Sequence, residues 1–370
     1  MGLTALQSRG DGLGASSVGE YRGATTALRF GDSQAEVAAL LTGCGVYDAG
    51  FRAKVSVSGS DRVRWLNGMV TNNVRDLAVD QGVYAFLLNP LGHILGDLYA
   101  YNRGESIMVD TDCNQVEKIL ETFDHYIIMD DVAVKNRSEE ITAVGISGPK
   151  SREVLVKVGF RLPQLQALRS HTIQCECDCG CLTCTIVRSD VPAGESYEIW
   201  LAPAEAKPLW DSLVKAGATP AGSEALEVRR ILSGVPRYGV DIRERDLPQE
   251  TEQARALNFN KGCYIGQEIV ERIRSRGAVH RKFSGFVAES AVTSGSRILA
   301  GEKEVGEVTS AASVKLANHG THVALGYIRR EIGVPGREVR IGTIPARVAA
   351  VPIFEKLFIE AERPLEQKPA

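Results

Sequence analysis

Residues Asn258 to Arg276 read N-F-N-K-G-C-Y-I-G-Q-E-I-V-E-R-I-R-S-R. Gly262 and Gly266 bracket Cys263, a placement suited to a backbone that bends tightly or approaches a neighbour closely. From Gln267 onward Ile269, Val270 and Ile273 recur at helical spacing among Glu and Arg, which predicts an amphipathic helix. Such a helix aims the partial positive charge of its N-terminus back at the loop, and Lys261 adds a full charge two residues before the thiol. Both favour thiolate over thiol and make Cys263 a candidate reactive or ligating sulfur. The plainer reading is a small buried apolar residue.

Outward from this stretch, 370 residues exceed one ordinary core and predict two or three domains. With 44% hydrophobic and 24% charged residues the chain reads as soluble and globular. A net charge of -3 gives no reason to expect nucleic-acid binding, which demands a basic surface. No apolar run approaches ~20 residues, so no membrane span is expected. Eight cysteines without a secretory signal point to a reducing cytoplasm. No Gly-x-Gly-x-x-Gly or Walker sequence appears, against dinucleotide and P-loop chemistry.

Residues 1–22 are Gly- and Ser-rich and read as a loose arm. A helix is expected from Asp32 or Ser33, stopped by Gly43, then a strand over Lys54–Ser58 and a helix from Asp61. Strand Val83–Leu88, the turn Asn89-Pro90-Leu91-Gly92 and a strand from His93 to Tyr101 form a hairpin. Asp97 interrupts the second strand, and a lone acid in a strand most often faces solvent. Helices are expected over Asp112–Tyr126, Ser151–Val158, Ala204–Ala216 and Glu224–Gly234, with strands at Val132–Lys135, Ala143–Ser147 and Tyr197–Leu201. In the run Cys175, Cys177, Cys179, Cys181, Cys184, the members from Cys175 to Cys181 would line one face if extended, and Cys181-x-x-Cys184 has a ligand-like gap. A second ligand pair for a metal is missing, so a cysteine-rich hairpin turning near Gly180 is favoured over a metal site. From Arg281, evenly spaced short strands imply a small β-barrel or sandwich.

The octapeptide Lys261 to Glu268, K-G-C-Y-x-G-Q-E, resembles the signature of the YgfZ-like proteins, folate-binding relatives of the glycine-cleavage T-protein that assist iron–sulfur enzymes. Gly59-Ser60-Asp61-Arg62-Val63, the hairpin, and Gly96-Asp97-Leu98 also look like the T-protein's N-terminal half. That family carries two adjacent acids, of which the second is catalytic; it falls on Asp97, while Gly96 replaces the first. Tyr197-Glu198-Ile199 resembles the T-protein segment whose Glu grips the pterin, so the resemblance assigns that role to Glu198. The family's arginine for folate's tail falls on Leu226; Arg229, Arg230 and Lys261 are the nearby basic residues the tail would meet. Tyr264 joins the folate-contacting set by its place in the octapeptide.

The resemblance implies an α+β chain forming a three-domain cloverleaf around a central folate cavity. The expected boundaries are 25–145, 146–280 with the Cys263 loop, and a C-terminal β-barrel at 281–356, flanked by an arm (1–24) and tail (357–370). It implies a tetrahydrofolate-binding accessory protein for iron–sulfur cluster assembly or repair, cytoplasmic, with Cys263 its working thiol and iron–sulfur client enzymes or assembly proteins its partners. The alternative is a folate-dependent aminomethyltransferase in which Asp97 activates a folate amine. A thiol enzyme pairing Cys263 with His280 is the third class, weakened because the two are separated by no recognised nucleophile–base spacing.

Overall fold

The computed structural model describes residues 2–8, 13–177, 180–192, 194–277, 279–316 and 319–353. The chain divides into two compact units, Met1–Leu226 with Gln253–Arg272, and Glu227–Glu252 with Ile273–Ala370.

The first unit opens with β1 (Gly2–Leu3), β2 (Ser17–Tyr21) and β3 (Ala24–Arg29), a three-stranded sheet in the order β1-β3-β2. The loose arm expected over residues 1–22 is therefore, where described, partly strand. Its Gly-rich composition hid pairing that only the partner strand β3 supplies. Helix α1 (Ser33–Thr42) starts where Asp32 accepts the Gln34 N–H and stops at Gly43, as the capping pattern predicts. β4 (Gly45–Asp48) and β5 (Arg52–Ser58) follow, then α2 (Arg62–Met69), β6 (Gly82–Leu88), β7 (Ile94–Asn102) and β8 (Ile107–Asp112). A helix was expected from Asp112; instead Asp112 ends β8, and α3 covers Val116–His125 after one 3-10 turn. The alternation M-V-D-T-D wins over the helical periodicity because its even members pair across the sheet.

The remaining elements of this unit are β9 (Ala133–Asn136), β10 (Thr142–Ser147), α4 (Ser151–Val158), β11 (Ser170–Cys177), β12 (Gly180–Arg188), β13 (Ser196–Leu201), α5 (Pro203–Lys215) and β14 (Thr219–Pro220). They make two sheets, β6-β7-β8-β5-β9 and β11-β12-β13-β10-β4-β14. One face of the first sheet is apolar: Val55, Val57, Ala85, Leu87, Leu98, Ala100 and Val109 pack with Trp65 and Leu66 of α2 and with Ile119 and Phe123 of α3. Strand periodicity then sends every intervening side chain to the opposite face. The second sheet buries Val144, Ile146, Ile186, Tyr197 and Ile199 against α4 and α5.

The cysteine run forms the expected hairpin, β11 against β12, but not a single cysteine face. Register pairs Cys175 with Leu182 and Glu176 with Cys181. Chain reversal therefore leaves Cys175 and Cys184 buried and Cys181 exposed. Cys179 lies outside the described residues. Among the described residues no three His, Cys, Asp or Glu side chains converge as metal ligands.

Helix α6 (Ser223–Leu232) crosses from the first unit into the second, and α7 (Gln267–Arg276) crosses likewise near its end. In the second unit β15 (Arg281–Ala288), β16 (Arg297–Ala300), β17 (Lys303–Leu316), β18 (His319–Arg329), β19 (Glu338–Ile341) and β20 (Ile344–Ala349) close into a barrel. The chain is thus mixed α/β with a C-terminal β-barrel, as its strand pattern implied; β16 is the strand the periodicity missed.

Candidate functional site

The polar face of the first unit's β6-β7-β8-β5-β9 sheet holds the site. Register sets Tyr84 opposite Tyr99, Phe86 opposite Asp97, Tyr99 opposite Asp110, Arg52 opposite Asp112 and Lys54 opposite Asp110. These residues share one face because they alternate with the apolar residues of the core on each strand.

Asp97 does not face solvent as an ordinary strand acid. The Tyr84 hydroxyl donates to Oδ2 at 2.7 Å, and Gln115 Nε2 donates to Oδ1 at 2.8 Å. The Asp97 N–H donates to Gln115 Oε1 at 2.9 Å, and the Thr111 hydroxyl donates to the Asp97 carbonyl at 2.8 Å. Burial, then the Asp112 charge, raises the Asp97 carboxyl above the usual carboxylate range, against the pull of Gln115, Tyr84 and Arg52. The next-door tyrosine is also held: Tyr99 donates to Asp190 Oδ1 at 3.1 Å, and Asp190 pairs with Arg255. The Arg255 guanidinium lies 4.2 Å from the centre of the Tyr84 ring.

Beside these runs an ionic ladder. Arg22 pairs with Asp112 at 3.1 Å, Arg52 with Asp112 at 2.5 Å and with Asp110 at 3.0 Å, and Lys54 with Asp110 at 2.8 Å. Burial works against Asp112's charge, but Arg22 and Arg52 outweigh it and hold the carboxyl below its ordinary value. The Lys54 ammonium sits 4.9 Å from the Trp200 ring, and Tyr101 meets the same ring edge-on at 5.2 Å. β13 thereby brings Glu198 to this face, where Trp200 Nε1 donates to Glu198 Oε2 at 3.2 Å. Burial, then Asp110, raises Glu198, opposed by Lys54 and Arg52.

Lys54, Asp110, Asp112, Tyr84 and Tyr101 are buried, while Asp97, Tyr99, Glu198, Arg52 and Arg255 keep part of their surface open. A buried polar floor rimmed by half-open carboxylates, aromatic rings and guanidinium groups offers the placed donors and acceptors that orient a small polar ligand. Alternation in R-A-K (52–54) and in D-T-D (110–112) was the signal for the ladder. Gln115 and Arg255 lie in single 3-10 turns and Asp190 in a loop, where no such alternation marks them.

Within the octapeptide the structure separates two kinds of residue. Lys261 was expected as a free charge beside the thiol and toward folate's tail. Its ammonium turns inward instead, donating to the carbonyls of Asn67 (2.5 Å), Val70 (2.5 Å) and Asn72 (2.8 Å). The first two belong to the end of α2, where carbonyls lack intrahelical partners and the helix dipole is negative. Burial pushes Lys261 down to about 7. Three acceptors nevertheless require three N–H donors, which only the protonated amine has, and the clamp is that of the ammonium. Tyr264 is buried beside it, with the ammonium 5.0 Å from its ring centre. Gly266 has φ +79°, and a Cβ there would lie 2.6 Å from the Asn89 carbonyl oxygen. Of the octapeptide's first six residues only Gly262 and Cys263 are exposed.

Leu226 is buried in the first unit, and Arg229 and Arg230 are buried in the second. Arg230 is committed to Glu227, Asp241, Ser310 and the Val235 carbonyl, a structural use that the sequence did not foretell. His280 is an exposed residue of the second unit. That unit also carries a cavity of about 740 Å³ along β15, β19 and β20, lined by none of the residues discussed for folate.

The GCVT N-terminal domain model matches residues 11–261. The aminomethyltransferase of Rubrobacter xylanophilus is 29% identical over 359 residues, covering 95% of this chain and 94% of that protein. A putative chloroplastic transferase of Arabidopsis thaliana is 27% identical over 320 residues, 84% of this chain and 71% of that one. The solved structure of glycine cleavage system aminomethyltransferase T from Bartonella henselae shares the fold, with a TM-score of 0.84 at 20% identity over 95% of this chain and 97% of that chain. With well over half its length matched by the family model, the chain belongs to the GCVT N-terminal domain family.

Proposed function

We propose that the protein binds a reduced folate on the polar face of β6, β7 and β8 and transfers a one-carbon group to it, as an aminomethyltransferase. The observation that carries this reading is the Asp97 carboxyl: both oxygens are fixed by donors from the protein, yet the group stays half open on a sheet face rich in aromatic rings. A carboxylate so oriented accepts from an amine N–H, and its raised basicity suits it to take the proton which that amine loses as it bonds to carbon. Tetrahydrofolate supplies the amine nitrogens on which a one-carbon unit rides. Glu198, with Trp200 on one oxygen, has acceptor capacity left for an aminopyrimidine edge, a planar match for two N–H donors. Relatives named aminomethyltransferase over nearly the whole chain support group transfer ahead of the accessory role that the octapeptide suggested.

The test is folate-dependent ammonia release from an aminomethyl group carried on a lipoyl protein. Turnover abolished by Asp97→Asn supports the reading; absence of tetrahydrofolate binding by the wild-type chain overturns it.

A second reading, support of iron–sulfur enzymes in the manner of YgfZ-like proteins, keeps one observation of its own. Cys263 is exposed in a loop pinned by Lys261, Tyr264 and Gly266, and no packing role accounts for it. Cys263→Ser that leaves tetrahydrofolate affinity intact but lowers iron–sulfur enzyme activity in cells would favour this reading. Equal enzyme activity in the two strains would remove it.

A further inference from the structure

Position 96 faces away from the site, toward α3. A Cβ there would lie 3.0 Å from Gln115 Oε1 and touch Ile119. The glycine therefore makes room for the buried Gln115 amide, which reaches β7 just beyond the end of β8. There it does for Asp97 what β8 does for the residues after it: Oε1 takes the backbone N–H, and Nε2 is left facing the carboxylate. The backbone donor fixes which end of the amide points where, because an N–H can only face the oxygen.

We infer that Gln115 is a positioning residue of the site, with Gly96 as its steric complement, and that together they set the direction and basicity of the Asp97 carboxylate. This rests on the proposed role of Asp97 only for its consequence in catalysis; the effect on Asp97 itself stands apart from it. The amide supplies a donor to the charged form of Asp97 without adding charge. The other groups facing Asp97 are Tyr84 from β6, beneath Arg255, and Asp112 from β8, held by Arg22 and Arg52. Among them only Gln115 grips both backbone and side chain of Asp97, so its loss alters orientation and proton affinity together.

The experiment follows the Asp97 carboxyl by carbon-13 NMR of aspartate-labelled full-length protein across pH, the signal being assigned by its disappearance in Asp97→Asn. Gln115→Ala is expected to move the Asp97 midpoint up by about one unit, a tenfold rise in proton affinity for one lost charged hydrogen bond. Gln115→Glu keeps the shape, removes the donor and adds a negative charge, and should move the midpoint further in the same direction. Gly96→Val, which crowds the amide, should shift it as Gln115→Ala does. A parallel titration with tetrahydrofolate should show the acid limb of binding moving with the midpoint while affinity above it recovers. A merely structural role would lower affinity at every pH and leave the midpoint in place. Midpoints unchanged in Gln115→Ala and Gln115→Glu, with wild-type circular dichroism, overturn the inference. If the midpoints move but no variant, nor the wild type, binds tetrahydrofolate, the positioning role stands and the folate reading falls.

Discussion

Replacing Lys261 by Met removes the ammonium beneath the end of α2 and keeps most of the side chain's apolar stem. Three carbonyl oxygens, of Asn67, Val70 and Asn72, then lose their shared donor in a site only 7% exposed. An orphaned buried polar group costs about 1–3 kcal/mol, partly relieved by water or local rearrangement. A hydrogen bond to a charged donor contributes about 1.5–3 kcal/mol, and three are lost together here. We therefore expect the first unit to lose about 3–5 kcal/mol, which for a unit of this size lowers its midpoint temperature by roughly 10 °C. Trp65, Trp200 and Trp210 all belong to this unit, so tryptophan fluorescence in urea reports its unfolding without the second. Cys263→Ser, two residues along and exposed, should change the midpoint by less than about 0.5 kcal/mol. If Lys261→Met unfolds within that same margin of wild type, the clamp on α2 is not what Lys261 does. Its charge would then have to be sought at the ligand.

Further outcomes follow from the same contacts. Asp97→Asn and Glu198→Gln should each weaken tetrahydrofolate binding by about 1–3 kcal/mol in a calorimetric titration; unchanged affinity in both would move the pocket elsewhere. Because Asp97's folded carboxyl is raised, its contribution to stability is whole below the unfolded value near ~3.9 and is lost as pH rises through the folded one. Asp97→Asn should accordingly unfold at higher urea than wild type at neutral pH, an advantage that vanishes in acid. Asp112 is shifted the other way by Arg22 and Arg52, so its contribution is present above the unfolded value and lost as pH falls through the folded one. Arg52→Met should cost about 3–5 kcal/mol, because Asp110 and Asp112 are left buried with too few partners; a loss under about 1 kcal/mol would show that Arg22 and Lys54 suffice. In the native protein a thiol reagent should label Cys263 and Cys181, while buried Cys44 and Cys184, pushed up to about 11 and 12, react only after unfolding, and half-buried Cys113, pushed up to about 11, reacts more slowly than the exposed pair. Mass spectrometry of the labelled peptides checks this.

Local chemistry was legible along the chain. The Asp32 cap and Gly43 stop bound α1 as the sequence says, the Asn89–Gly92 turn joins β6 to β7, and short alternating runs after Arg281 make the barrel. These features depend on neighbours within a few residues, which is why a linear reading finds them. The octapeptide likewise announced that something unusual happens near Cys263, and residues 11–261 match one family.

What each side chain does was settled only across the fold. Asp97 looks like a solvated acid until β6 brings Tyr84 to one oxygen and the turn before α3 brings Gln115 to the other. Lys261 looks like a free cation until its ammonium is found among α2's last carbonyls. Asp112 reads as the start of a helix until Arg52, sixty residues back, is set opposite it. In each case the deciding partner is distant in sequence. Burial then makes the pairing compulsory, since a charge or donor taken out of water must find its complement there.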